Sequence, residues 1–92
     1  METTKAKFNL GQLLITSTAQ DALHHEDVLI ALSRHIQGDW GDVGQEDWEE
    51  NEFSLDKYLR LFSVYHDRAG TKFWIITEAS REATTVLLPE DY

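Results

Sequence analysis

Histidine, glutamate and arginine are the residues of this chain best suited to chemistry, and their spacing limits what they can do. His24 and His25 are adjacent, His35 stands near an expected helix end, and His66 closes an expected strand. Neutral imidazole is a common metal ligand and general base. None of the four forms an HExxH motif or an i, i+4 pair on a helix, so no metal centre and no cofactor are expected. His35 follows Arg34 just before a glycine-rich stretch, where both side chains can cap the last helix carbonyls. Glu78 and Arg81 flank an expected turn at Ala79-Ser80 and are placed to pair across it. Together with His66 or His35 they make one conceivable catalytic set, with Glu78 as base, Arg81 as phosphate clamp and a histidine as acid. There is no cysteine, which excludes thiolate catalysis, disulfide scaffolds and cysteine-based zinc sites.

The charge pattern points elsewhere. The 92 residues carry 17 acids and 8 bases, a formal net charge of -9. Eight of the acids lie between Asp39 and Asp56, where there is no basic residue, and the remainder of the chain is close to neutral. Such a balance does not suit a protein that grips nucleic acid through phosphate contacts, which needs excess Lys and Arg. Eight carboxylates over a few helical turns are also a small patch beside duplex DNA, which carries about one charge per 1.7 Å. The acidic segment therefore reads as a solvated face, or as a binding face for a basic protein partner made by Asp39, Trp40, Asp42, Glu46, Asp47, Glu49 and Glu50.

The elements that hold these residues follow from periodicity. Hydrophobic residues are 41% of the chain and charged residues 27%, a globular composition with room for one domain spanning residues 1–92. Lys7 to Thr16 reads as a strand or extended arm interrupted at Gly11. A short helix from Thr18 to about His24 is expected, with Ser17 as its cap and Gln20 at capping-box spacing. Val28, Leu29, Leu32, His35 and Ile36 form the inward stripe of a second helix that Gly38 stops. Trp40 sits in a loop with three glycines and must bury much of its ring. Gln45 to Tyr58 reads as a third helix with a thin stripe of Trp48, Leu55 and Leu59. Leu59–His66, Lys72–Glu78 and Arg81–Leu88 are rich in aromatic and β-branched residues, and Pro89 ends the last. The fold expected is α+β: two to three N-terminal helices packed on a C-terminal three-stranded antiparallel meander, with the N-terminal segment able to add a fourth strand. An unpaired sheet edge would also allow a homodimer. Tyr92, the last residue, is expected to dock back onto the sheet.

Several stretches run together along most of the chain: Leu10-Gly11-Gln12, Arg34-His35, Gly38-Asp39-Trp40-Gly41-Asp42, Trp74-Ile75-Ile76-Thr77-Glu78 with Arg81, Thr84-Thr85, and Leu87-Leu88-Pro89-Glu90-Asp91-Tyr92. In this combination the chain resembles a family of short, acidic bacterial proteins of unknown function, often labelled plasmid-related proteins. It departs from that pattern at Thr16-Ser17-Thr18-Ala19, where the family usually has a Thr-Pro-Gly-Ala-like turn. The resemblance implies a bacterial origin and a link to mobile elements, and brings no activity, ligand or catalytic residue with it.

Two functions follow as expectations. The favoured one is a non-enzymatic interaction module whose acidic segment meets a basic protein, such as a nucleic-acid-handling enzyme opposed by a mobile element. The other is a small ribonuclease-like hydrolase using Glu78, Arg81 and a histidine, whose net charge would repel its own substrate at long range. No apolar run approaches the ~20 residues of a membrane span, and the first residues do not read as a signal peptide, so a cytoplasmic location is expected.

Overall fold

The computed structural model describes residues 6–92 as an α+β domain. Its elements are β1 (Gln12–Ile15), α1 (Ser17–Ala22), α2 (His25–Ile36), α3 (Gln45–Lys57), β2 (Leu61–His66), β3 (Lys72–Thr77) and β4 (Ala83–Leu87), followed by a 3-10 turn at Pro89–Asp91. None of the helices among the described residues is long and apolar enough to cross a membrane.

The antiparallel meander is present, with Ser63 opposite Ile75 in β2–β3 and Ile75 opposite Val86 in β3–β4. The sheet as a whole is four-stranded and mixed, in the order β1-β4-β3-β2, because β1 adds beside β4 in parallel. The helices are thus not N-terminal to the sheet; all three lie in the crossover from β1 to β2. β1 and β2 stand at opposite edges of the sheet and run in the same direction, so the chain between them must cross the sheet, and the helices make that crossing. The α1 cap is Thr16 rather than Ser17: its Oγ1 accepts from the Ala19 amide at 3.2 Å. The Thr16 and Thr18 hydroxyls donate to Asp91, which ties the C-terminal turn to the start of α1.

Alternation along the strands sorts the two faces. Tyr65, Phe73, Ile75 and Val86 meet Ala19, Leu23, Val28, Ala31 and Leu32 in one core under α1 and α2. Phe62, Trp74 and Ile76 lie on the opposite face, where the Tyr92 ring docks edge-on to Trp74 at 5.7 Å between centroids. The two sheet edges differ. On β2, the Asn51 side chain satisfies the Phe62 amide and carbonyl, and Trp40 and Asp42 do the same for Val64. Gly41 (φ +80°) makes that approach possible, since a Cβ there would overlap the Val64 carbonyl oxygen. At β1, by contrast, Leu13, Leu14 and Ile15 are all exposed.

Candidate functional site

His35 projects from α2 into the interior and is fully buried. It lies on the inward stripe three residues after Leu32, so its ring points to the sheet and not along the helix axis to the last carbonyls. The carbonyl-capping role expected for it is therefore not the one it performs. Its Nδ1 is 2.6 Å from Ser63 Oγ and its Nε2 is 2.9 Å from Thr77 Oγ1. Thr77 Oγ1 in turn meets Thr84 Oγ1 at 2.7 Å, and the Thr84 hydroxyl donates to the Leu10 carbonyl at 2.7 Å. The polarity of this chain is fixed at its end, because a carbonyl only accepts. Thr84 must then donate to Leu10, Thr77 to Thr84, and His35 Nε2–H to Thr77. Nδ1 is left bare and accepts from Ser63. Burial, with a smaller push from the Arg81 cation, lowers the His35 pKa to about 3. Phe8 and Trp40 present edge-to-face contacts at 5.3 and 5.6 Å. His35 is thus a neutral interior link between α2, the sheet and the N-terminal arm. A substrate cannot reach it as it stands.

The remaining members of the conceivable catalytic set do not converge. The guanidinium of Arg81 donates to the carbonyls of Leu59, Glu78, Ala79 and Ser54, and no ion pair joins it to the exposed Glu78 carboxylate. The turn brings the Glu78 backbone to the guanidinium and leaves its side chain in solvent. His66 is exposed, 3.8 Å from Asp42, and faces Lys72 across the hairpin. Glu78 follows Thr77 at the other end of the same ladder, six residues beyond the Lys72 that faces His66, so about 20 Å of strand separates it from His66 at ~3.4 Å per residue. Base and acid stand at opposite ends of the sheet.

One cluster of possible metal ligands does form among the described residues: atoms of His24, Asp27 and Asp67 lie within 4.8 Å of one another. Their lone pairs are already engaged. The Asp67 carboxylate accepts from the amides of His24, Ala69 and Thr71 and faces His24 Nδ1, while Asp27 pairs with Arg68. Desolvation pushes the Asp67 pKa up, but these hydrogen bonds outweigh it and hold the value down at about 2. The arrangement closes the β2–β3 loop onto the start of α2.

The acidic segment separates into two kinds of residue. Asp39 is paired with Arg34 Nε at 2.7 Å, which holds its carboxyl below the usual range, and Glu52 accepts the Trp40 Nε1–H at 2.8 Å. Trp40 is 0% exposed, as its loop position required, and this removes it from any contact surface, contrary to the binding role expected for it. Glu46, Asp47, Glu49 and Glu50 are exposed on α3, with no basic side chain in ion-pair contact among the described residues. Asp42 extends this group toward His66.

The way α3 is attached explains its thin apolar stripe. Its buried residues are Asn51 and Ser54, not the Trp48, Leu55 and Leu59 stripe expected from the sequence. Asn51 Nδ2 donates to the Phe62 carbonyl at 2.6 Å, its Oδ1 accepts the Phe62 amide at 3.0 Å, and Arg81 holds the Ser54 carbonyl at 3.0 Å. Polar bonds to backbone mount the helix, so its large apolar residues Trp48 (36% exposed) and Phe53 (54%) are left at the surface among the carboxylates. Glu46, Glu49, Glu50 and Phe53 share the outward face by their i, i+3, i+4, i+7 spacing. Comparisons of the chain with protein-family models, with curated proteins and with solved structures found no match.

Proposed function

We propose that the protein is a non-enzymatic interaction module that docks a basic protein partner on the outward face of α3. The observation that carries this reading is the coincidence, on the outward face of a helix held by polar bonds, of Glu46, Glu49 and Glu50, which have no basic partner among the described residues, with the exposed Phe53 ring. Solubility alone would account for the acids but leaves a large exposed ring among them unexplained. Aromatic side chains within a charged rim are what protein interfaces use as anchors. A partner with a Lys- and Arg-rich surface is complementary, and a nucleic-acid-handling protein has one; the plasmid-related resemblance fits that partner class.

Changing Glu46, Asp47, Glu49 and Glu50 together to Gln is expected to leave the fold intact. Binding of the captured basic partner should weaken at least tenfold at low salt, most of it in the association rate. Surface plasmon resonance at rising ionic strength reads both effects, and unchanged affinity in the Gln variant would contradict the proposal.

The homodimer expected from sequence is proposed to form through β1. Between Lys7 and Asp21 the chain has no charged residue, so this is where two copies of a protein of net charge -9 meet with least repulsion. Leu14→Lys is expected to shift sedimentation equilibrium from dimer to monomer. A wild-type protein that is monomeric at millimolar concentration would remove this idea.

A further inference from the structure

Away from the acidic face, a cleft of about 430 Å³ opens between the N-terminal arm, the end of α3 and the β3–β4 turn. We propose that this cleft binds a small phosphate monoester of nucleoside monophosphate size, with Lys7 and Arg81 neutralising the phosphate and Tyr58 stacking on the attached ring. It shares no residue with the docking face on α3.

The local charge is the first reason. On a chain with more than two acids per base, the residues lining this cleft include Lys7 and Arg81 and no acid; the Lys7 side chain lies over Gly38, outside the lining, and must swing from there to meet a ligand. Neither cation has a carboxylate in ion-pair distance among the described residues, whereas Arg34 and Arg68 are both paired. Arg81 is only 7% exposed, and its charge is met by carbonyl dipoles and the faces of the Phe8 and Tyr58 rings, with no carboxylate among the described residues. Desolvation accordingly depresses its pKa, so an incoming anion would stabilise the charged form.

The free donor is the second. Arg81 Nη1 donates to the carbonyls of Leu59, Glu78 and Ala79, and Nη2 uses one of its two N–H on the carbonyl of Ser54. The Nε–H takes no acceptor among the described residues, yet no buried side-chain polar atom there lacks a partner. Nε–H therefore keeps some contact with solvent, and Arg81 is among the residues that line the cleft. The guanidinium is held in place by four carbonyls and keeps two of its five N–H donors, Nε–H and one on Nη2, without an acceptor among the described residues, which makes a preorganised anion donor.

Backbone and rings supply the third. Tyr58 (φ 58°) and Arg81 (φ 66°) are the two non-glycine residues of positive φ among the described residues, and both line this cleft. Each such conformation costs about 1 kcal/mol that glycine would avoid; at Tyr58 it is the left-handed cap that ends α3, and it fixes where that ring stands beside Arg81. The Phe8 and Tyr58 rings stand 5.8 and 5.1 Å from the Arg81 guanidinium carbon, and Tyr58 is 68% exposed, with a face open for stacking. The volume exceeds the need of bare phosphate and falls in the ~300–1,000 Å³ range of small-molecule sites. Two cations favour a dianionic phosphate over a carboxylate.

The test is a titration of the 15N-labelled protein at low salt with adenosine monophosphate, adenosine and inorganic phosphate as separate probes. Adenosine monophosphate is expected to shift the amides of Lys7, Phe8, Tyr58 and Arg81 with saturation. Inorganic phosphate should shift the same amides more weakly, and adenosine should not saturate. Lys7→Gln, on the arm and outside the core, is expected to weaken the nucleotide at least tenfold, and Tyr58→Asn, which tolerates the left-handed backbone, to weaken it toward the phosphate value. The proposal is overturned if adenosine monophosphate leaves these amides unmoved at about 10 mM. Equal binding by Lys7→Gln and wild type, or by adenosine and its monophosphate, would overturn it as well.

Discussion

Acidification from about pH 7.5 to about pH 4 is expected to remove about 3 kcal/mol of folding stability through His35 alone. The fold holds this imidazole neutral until about pH 3, while the unfolded chain protonates it near its ordinary value of ~6.5. Between those values the unfolded state binds more protons, so stability falls as pH falls, at ~1.4 kcal/mol per unit once well inside the window. Protonation in place would set an Nδ1–H against the Ser63 hydroxyl that now donates to it, with no carboxylate nearby to offset the charge. Asp67 acts in a separate window. Its folded value is about 2, so its contribution is present above the ordinary carboxylate range of ~4 and disappears only below it. Urea denaturation at a series of pH values separates the two, because the loss between pH 6.5 and 4.5 belongs to the histidine. His35→Gln keeps a neutral polar side chain and is expected to flatten that part of the profile while lowering stability at neutral pH. A second readout needs no variant: the His35 ring should show the Nε2–H tautomer by 15N NMR and not titrate above pH 4. A His35 that titrates near 6.5 in the folded protein would contradict the account.

The second large effect is expected at Asn51. Asn51→Ala removes both bonds to Phe62 and leaves the amide and carbonyl of a half-buried strand residue without partners. A loss of about 2–3 kcal/mol follows, which is a fall in Tm of roughly 10–20 °C for a domain of this size. The damage should be concentrated on α3, whose amides are expected to lose hydrogen-exchange protection ahead of those in β3 and β4. Asn51→Asp should do no better, because it keeps the acceptor for the Phe62 amide and sets a carboxylate oxygen against the Phe62 carbonyl. An Asn51→Ala protein within about 0.5 kcal/mol of wild type would show that α3 is held by something else.

Both positions also mark where sequence reasoning reaches its limit. The three strands of the meander are legible because aromatic and β-branched runs are a local signal, and α2 is legible from its Val28–Leu32–His35 stripe. His35 belongs to that inward stripe, yet its neighbours Arg34 and Gly38 suggest a capping role. The partners that decide the matter, Ser63 and Thr77, stand 28 and 42 residues away. For α3 the extent is readable and the packing is not, since apolar periodicity says nothing about a helix mounted by one amide side chain. Arg81 misleads in the same way. Its proximity to Glu78 suggests an ion pair, while its positive φ and four carbonyl partners depend on Ser54 and Leu59, distant in the chain. The parallel pairing of β1 is likewise non-local, and four exposed residues carry no pattern that names their neighbour.

Of the acidic segment, the concentration of charge was plain from the sequence, but its division was not. Asp39, Glu52 and the buried Trp40 fasten the glycine loop to α2, β2 and α3. That leaves Glu46, Asp47, Glu49 and Glu50 with Trp48 and Phe53 as the surface offered to a partner. The most direct test of this surface is photo-crosslinking in the source cell, from a reactive phenylalanine analogue placed at Phe53, on the same face as Glu46, Glu49 and Glu50, and, for comparison, at the exposed Glu82. A predominant adduct with a Lys- and Arg-rich protein from position 53, absent from position 82 and lost when the four α3 carboxylates become Gln, is the predicted result. Equal adducts from both positions, or an adduct at 53 that persists in the Gln variant, would contradict it.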